Sequence, residues 1–174
     1  MRMNTKVVRL DLGYYSELQP GFSQQRHYIA PYPQEEASHF VRRLLAYLIM
    51  YEQQPQLSKT ATPGKEPDVF VQDTDAHFRL WGSVDVLSDK KLRRACHLAD
   101  EVWFFISELD QPKLQHLPYQ MNAHCYHFDE QQLLQLQQML KPHMRLSVWR
   151  DTDTLTIADG EHWLEFLLQL AALH

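Results

Sequence analysis

The chain has 174 residues and a mass of 20.7 kDa, 44% of them hydrophobic and 22% charged. That is enough for one globular domain over 1–174, burying about 70% of its unfolded surface, and it excludes a disordered or fibrous class. The formal net charge of −5 weighs against a chain that grips nucleic acid by overall basicity without excluding a nucleic-acid role, because acidic metal sites also pull such a total downward. Two cysteines, Cys96 and Cys125, are too few and too irregularly spaced for a disulfide scaffold or a zinc motif, so a reducing cytoplasmic location is expected. The opening MRMNTKVVRLDLGYYSEL carries Asp11 and Glu17 and has no long apolar stretch. A signal peptide is not expected, and neither is a membrane span.

Lys6 to Leu12 alternates and is rich in valine and leucine, which predicts a first strand; Gly13 and Pro20-Gly21 then punctuate a turn. Gln25 to Ala30 predicts a second strand, stopped before Pro31 and Pro33. From Gln34 the apolar residues Phe40, Leu44, Tyr47, Leu48 and Tyr51 recur at helical spacing until Pro55. Glu35 and Glu36 fall in that helix's first turn, where carboxylates suit its dipole. Val69 to Gln72 and Phe78 to Val86 are expected as strands, with a short strand conceivable at Gln56 to Thr60. Ser88 is a good N-cap for a helix carrying Lys90, Lys91, Arg93 and Arg94. Val102 to Ile106 is a continuous apolar run, as in a strand buried on both faces.

Gln111 to Leu117 reads as a short helix and Ala123 to Phe128 as a strand; Asp129 then caps a long helix with Leu133, Leu136 and Leu140 inward. Arg145 to Trp149 and Thr154 to Ala158 are further strands. Asp159-Gly160 signals a two-residue hairpin, so His162 to Leu168 should return as a strand, with a helix as the alternative for the leucine-rich tail. The expected fold is α/β or mixed α+β: a central mixed β-sheet flanked by helices, closing on a C-terminal β-hairpin.

The chemistry-bearing stretch is Glu66 to Ala95. Carboxylates at strand ends with cations beside them can hold a divalent metal against a phosphate, and can equally be a polar rim. Residues two apart on a strand share a face, which would set Asp85 on the same side as Ser83. The histidines of His124-Cys125-Tyr126-His127 face opposite ways on a strand and cannot converge on zinc. Cys96 reads as a buried helix cysteine rather than a nucleophile. No GxSxG, P-loop or GxGxxG motif is present.

With the elements laid out, Arg42 to Leu48, EPDVFVQD at 66–73, LWGSVDVLSDKKLRRAC at 80–96, the strand at 101–106 and ADGEHWLEF at 158–166 together resemble the YaeQ family. The resemblance implies a variant of the restriction-endonuclease-like PD-(D/E)XK fold with a metal-dependent nuclease site. Pro67-Asp68 looks like the PD element. The slot for the family's strand glutamate holds Ser83, its glycine slot holds Asp85, and of two helix glutamates Glu35 keeps one while Ser38 takes the other. Two expected carboxylates are therefore displaced, and the expectation is a degenerate metal site in a non-catalytic module that binds nucleic acid or a protein partner. The alternative is a surviving Mg²⁺-dependent nuclease. In it Asp68 and Asp85, with Glu66 beside them, hold the ion, Glu35 assists and Lys91 or Arg94 polarises the phosphate. Lys90, Arg93 and Arg94 then contact the nucleic acid.

Overall fold

The computed structural model describes residues 1–60 and 62–173. In chain order it contains β1 (Val8–Ser16), β2 (Gly21–Ile29), α1 (Ala37–Ile49), β3 (Gln56–Leu57), β4 (Val69–Gln72) and β5 (Phe78–Ser83). There follow α2 (Asp89–Leu98), β6 (Ala99–Ser107), α3 (Gln111–Leu114), β7 (Ala123–Phe128) and α4 (Glu130–Gln138). The last strands are β8 (His143–Arg150), β9 (Thr154–Ala158), β10 (Trp163–Leu167) and β11 (Ala171–Ala172). The mixed α+β class is as expected, but the strands form two sheets rather than one central sheet. Each sheet belongs to its own compact unit: Met1–Val41 with Gln131–Leu168, and Arg42–Glu130 with Gln169–His174. No helix among the described residues is long and apolar enough to cross a membrane.

The first unit holds a five-stranded sheet in the order β10-β9-β8-β1-β2. Its centre is the parallel pair β1–β8, and the other neighbours are antiparallel. Along β1, Val8, Leu10, Leu12 and Tyr14 are buried while Arg9, Asp11, Gly13 and Tyr15 lie on the other face, the period-two pattern of a sheet with one face on a core. Gly13 is not a turn: it is an interior residue of β1, and the turn falls between Ser16 and Gly21. The helix bond from Phe40 N–H goes to the Glu36 carbonyl at 3.0 Å, so Glu35 precedes α1 instead of lying in its first turn. Asp159-Gly160 makes a four-residue connection, with Gly160 at φ +93°, because the Asp159 carboxylate accepts the N–H groups of Glu161 and His162 at 2.9 and 2.6 Å. The tail after it is strand, as the hairpin reading required.

The second unit holds a six-stranded sheet in the order β11-β7-β6-β5-β4-β3, with β5, β6 and β7 parallel. The β5–β6 crossover runs through α2, whose Leu92 and Ala95 pack with Trp81, Val102, Phe104 and Ile106 in one apolar cluster. Burying side chains of this size contributes about 1.5–3 kcal/mol each, which fixes the C-terminal ends of the parallel strands where β5 gives way to α2.

Candidate functional site

Asp68 stands at the start of β4. Its backbone N–H donates to the Gly82 carbonyl at 2.8 Å, and its own carbonyl accepts the Ser58 N–H at 3.1 Å. Its buried carboxylate accepts the Val84 N–H at 2.9 Å. Gly82 makes this close approach possible: a Cβ there would stand 2.7 Å from the Val69 carbonyl oxygen and 3.2 Å from the Phe105 ring. The PD dipeptide is thus clamped between β5 and the loop before β4.

Beyond Ser83 the strand ends, which corrects the expected run to Val86. The Ser83 hydroxyl donates to the Asp85 carbonyl at 2.7 Å, bending the chain, so strand alternation does not place Asp85. The bend brings the Asp85 carboxylate within 4.8 Å of that of Asp68. Arg42 of α1 completes the group. Its Nε donates to the Val84 carbonyl at 3.2 Å, and its Nη2 stands 3.9 Å from the Asp85 carboxylate. The site therefore offers two carboxylates, one guanidinium and a serine hydroxyl already spent on the backbone.

Of the remaining predicted residues, Glu66 is exposed and accepts the Thr60 hydroxyl at 3.0 Å. It is not in the group of potential metal donors that contains Asp68 and Asp85. Lys91 lays its aliphatic stem over Gly64, where an added Cβ would fall 2.3 Å from Lys91 Cδ. Arg94 donates to the carbonyls of Gly64 and Lys65 at 3.0 and 3.2 Å, holding the loop ahead of Glu66. Lys90 and Arg93 are exposed on α2. Glu35 belongs to the first unit; it is buried, accepts the Tyr32 N–H at 3.0 Å and bonds His39, one helical turn on.

Arg42 was not among the predicted site residues. Its signal is the Arg42-Arg43 pair inside the apolar run from Phe40 to Met50; Arg43 is itself buried at 1% exposure, which charged residues rarely are without a partner. Cys96 is half-buried, and burial pushes its thiol up to about 11, so it is not a thiolate at neutral pH.

Against known proteins, the family model described as YaeQ protein matches residues 1–167. The chain is 22% identical over 142 residues to the uncharacterized protein YaeQ of Salmonella typhi, covering 78% of this chain and 75% of that one. Among solved structures it resembles the YaeQ protein of Pseudomonas syringae, with a TM-score of 0.80 and 17% identity over 98% of this chain and 96% of that one. The YaeQ protein of Xanthomonas axonopodis pv. citri gives a TM-score of 0.79 and 15% identity over 97% and 98%. At these identities the structural likeness concerns the fold.

Proposed function

The chain belongs to the YaeQ family, and on that premise we propose that it is a non-catalytic member: a nucleic-acid-binding module on a nuclease-type PD-(D/E)XK scaffold whose metal site has degenerated. The observation that carries this reading is Ser83. It occupies the slot of the family's strand carboxylate, and its hydroxyl is engaged by the Asp85 carbonyl at 2.7 Å. A neutral, engaged hydroxyl removes a unit of negative charge from a site that must offset the dehydration of a divalent cation. Arg42 beside Asp85 offsets more of the charge that remains.

Asp68 and Asp85 by themselves fit a hydrated Mg²⁺, which one or two carboxylates commonly hold. Their approach within 4.8 Å favours the second reading, a Mg²⁺-dependent nuclease with a relocated carboxylate. There the ion would supply charge neutralisation at the phosphate, and Asp68 and Asp85 would hold it.

Calorimetric titration with Mg²⁺ and Mn²⁺ of the wild type, Asp68→Ala and Ser83→Glu, paired with cleavage assays on DNA and RNA, separates the two. The degenerate site predicts no saturable binding by the wild type at millimolar metal, no change in Asp68→Ala, and a gain of binding in Ser83→Glu. Saturable wild-type binding that Asp68→Ala abolishes, with cleavage lost in Asp68→Ala/Asp85→Ala, would establish the nuclease instead.

A further inference from the structure

The outer face of the five-stranded sheet in the first unit carries features that the Asp68 site does not use. In cross-strand register, Phe22 of β2 opposes Tyr15 of β1, which opposes Trp149 of β8. Trp163 of β10 stacks on Trp149 with ring centroids 5.7 Å apart and an interplanar angle of 23°. These rings are in the open: Phe22 and Trp163 are each 67% exposed and Trp149 is 41% exposed. Exposed aromatics gathered on one face mark an interaction surface rather than a core.

Two residues along, the next row runs Gln24, Gly13, Ser147 and Ala158 and ends on Trp163. The Phe22 ring leans across Gly13, 3.5 Å from where a Cβ would sit. Beyond them comes a row of charge. Asp11 is flanked in register by Arg26 and Arg145, and its carboxylate is bonded by Arg26 Nε at 2.7 Å, Arg9 at 3.4 Å and His143 at 2.6 Å. Arg145 is exposed and has no ion pair among the described residues. Between Phe22 and the charged row lies a cleft of about 710 Å³, floored by Gly13 and Ser147 and edged by Phe22, Arg26, Arg145 and Asp159; Phe22 is the ring of the platform that lines it.

We propose that this aromatic-and-arginine sheet face is a stacking platform for a single-stranded polynucleotide. The π-faces of Phe22, Tyr15, Trp149 and Trp163 take the bases, while Arg145, which is outside the ion pairs of Asp11, takes the phosphate. The partner follows from the chemistry of the rows. Phe22, Tyr15 and Trp149, spaced by the ~4.8 Å between strands, suit successive bases, and the charged row, where Arg145 stands outside any ion pair among the described residues, suits a backbone of one negative charge per nucleotide. The carboxylates on this face do not cancel that row. Asp11 is already enclosed by Arg9, Arg26 and His143, and Asp159 is turned onto its own loop N–H groups; Glu165 falls in the aromatic row rather than the charged one, opposite Thr156, which opposes Trp149. A duplex, whose bases are stacked on each other, offers this face no free ring.

The platform names a place and a ligand for the binding role proposed above and rests on that reading, but not on the state of the Asp68 site. Its test is quenching of intrinsic tryptophan fluorescence in the full chain, titrated with 15-nucleotide oligo(U) and oligo(dT) and with a 15-base-pair duplex. The expected result is quenching by the single strands and little by the duplex. Trp163→Ala and Trp149→Ala should each bind about tenfold more weakly, as loss of one base stack does. Arg145→Gln should lower the slope of log K against log salt by about 0.7. Single-strand binding that all three variants retain would overturn the platform while leaving the binding role standing elsewhere on the molecule. No single-strand binding at low salt would overturn both. Binding to anionic phosphatidylglycerol vesicles but not to oligonucleotides would make this a membrane surface instead.

Discussion

Gly82 shows how closely the candidate site depends on a single absent methyl group. A Cβ there would press on the Val69 carbonyl and the Phe105 ring at once, and backbone cannot swing aside as a flexible side chain would. Gly82→Ala should therefore cost about 2 kcal/mol or more, as overpacking of a filled interior does, read as a lower urea midpoint at unchanged m-value. A neutral result would mean that β4 and β5 are not held this close. The same few residues mark how far sequence carries at this scale. Pro67-Asp68 was legible because it opens a strand, and the structure clamps it there. Asp85 was legible as a candidate but not in its position, because one side-chain bond from Ser83 replaces strand alternation by a bend. Arg42 was missed because its partners, the Val84 carbonyl and the Asp85 carboxylate, are more than forty residues away.

Some elements whose signals are local were read to the residue, while α1, β1, β2 and β5 differ from their expected bounds by several residues. β9 and β7 have the predicted bounds, and α2 begins immediately after the predicted cap Ser88, whose hydroxyl accepts the Lys91 N–H at 3.4 Å while its carbonyl accepts the Leu92 N–H at 2.8 Å. Ser88→Ala should cost about 1 kcal/mol, and Ser88→Asp should restore most of it; equal thermal midpoints for all three proteins would remove the cap from the account. What periodicity could not supply is strand partnership. β1 pairs with β8 across more than a hundred residues, and β11 leaves its hairpin neighbours to join β7. An alternating run states which face of a strand is apolar, not which sheet it enters, so two sheets were read as one. The exposed row Phe22, Tyr15 and Trp149 escaped notice for the same reason: its members are neighbours only through register.

On the scale of the whole molecule, the two units carry titrating groups that act at opposite ends of the pH range. In the first, the Arg26 guanidinium and then His143 hold the Asp11 carboxyl well below its ordinary 3.8. Asp159 is also lowered: burial raises it, but the N–H groups of His162 and Glu161 outweigh that. Carboxylates depressed in the fold contribute stability that is present above the unfolded value and is lost as pH falls through the folded one. In the second unit, the bond to Asp100 raises His77 above 6.5, against burial. That contribution is complete below the unfolded value and is lost as pH rises through the folded one. Urea midpoints measured from pH 8 to pH 2 should then separate the two. Asp11→Asn should lower the midpoint near neutrality, and its difference from wild type should shrink as pH falls below about 3.8, the ordinary aspartate value. His77→Gln should differ from wild type most at pH 6 and least at pH 8. If the Asp11→Asn difference stays constant down to pH 2, the donors around Asp11 are not what depresses it. In that case Arg9 and Arg26 would be less committed to Asp11 than their distances indicate, and more of their charge would be available to a ligand on the sheet face.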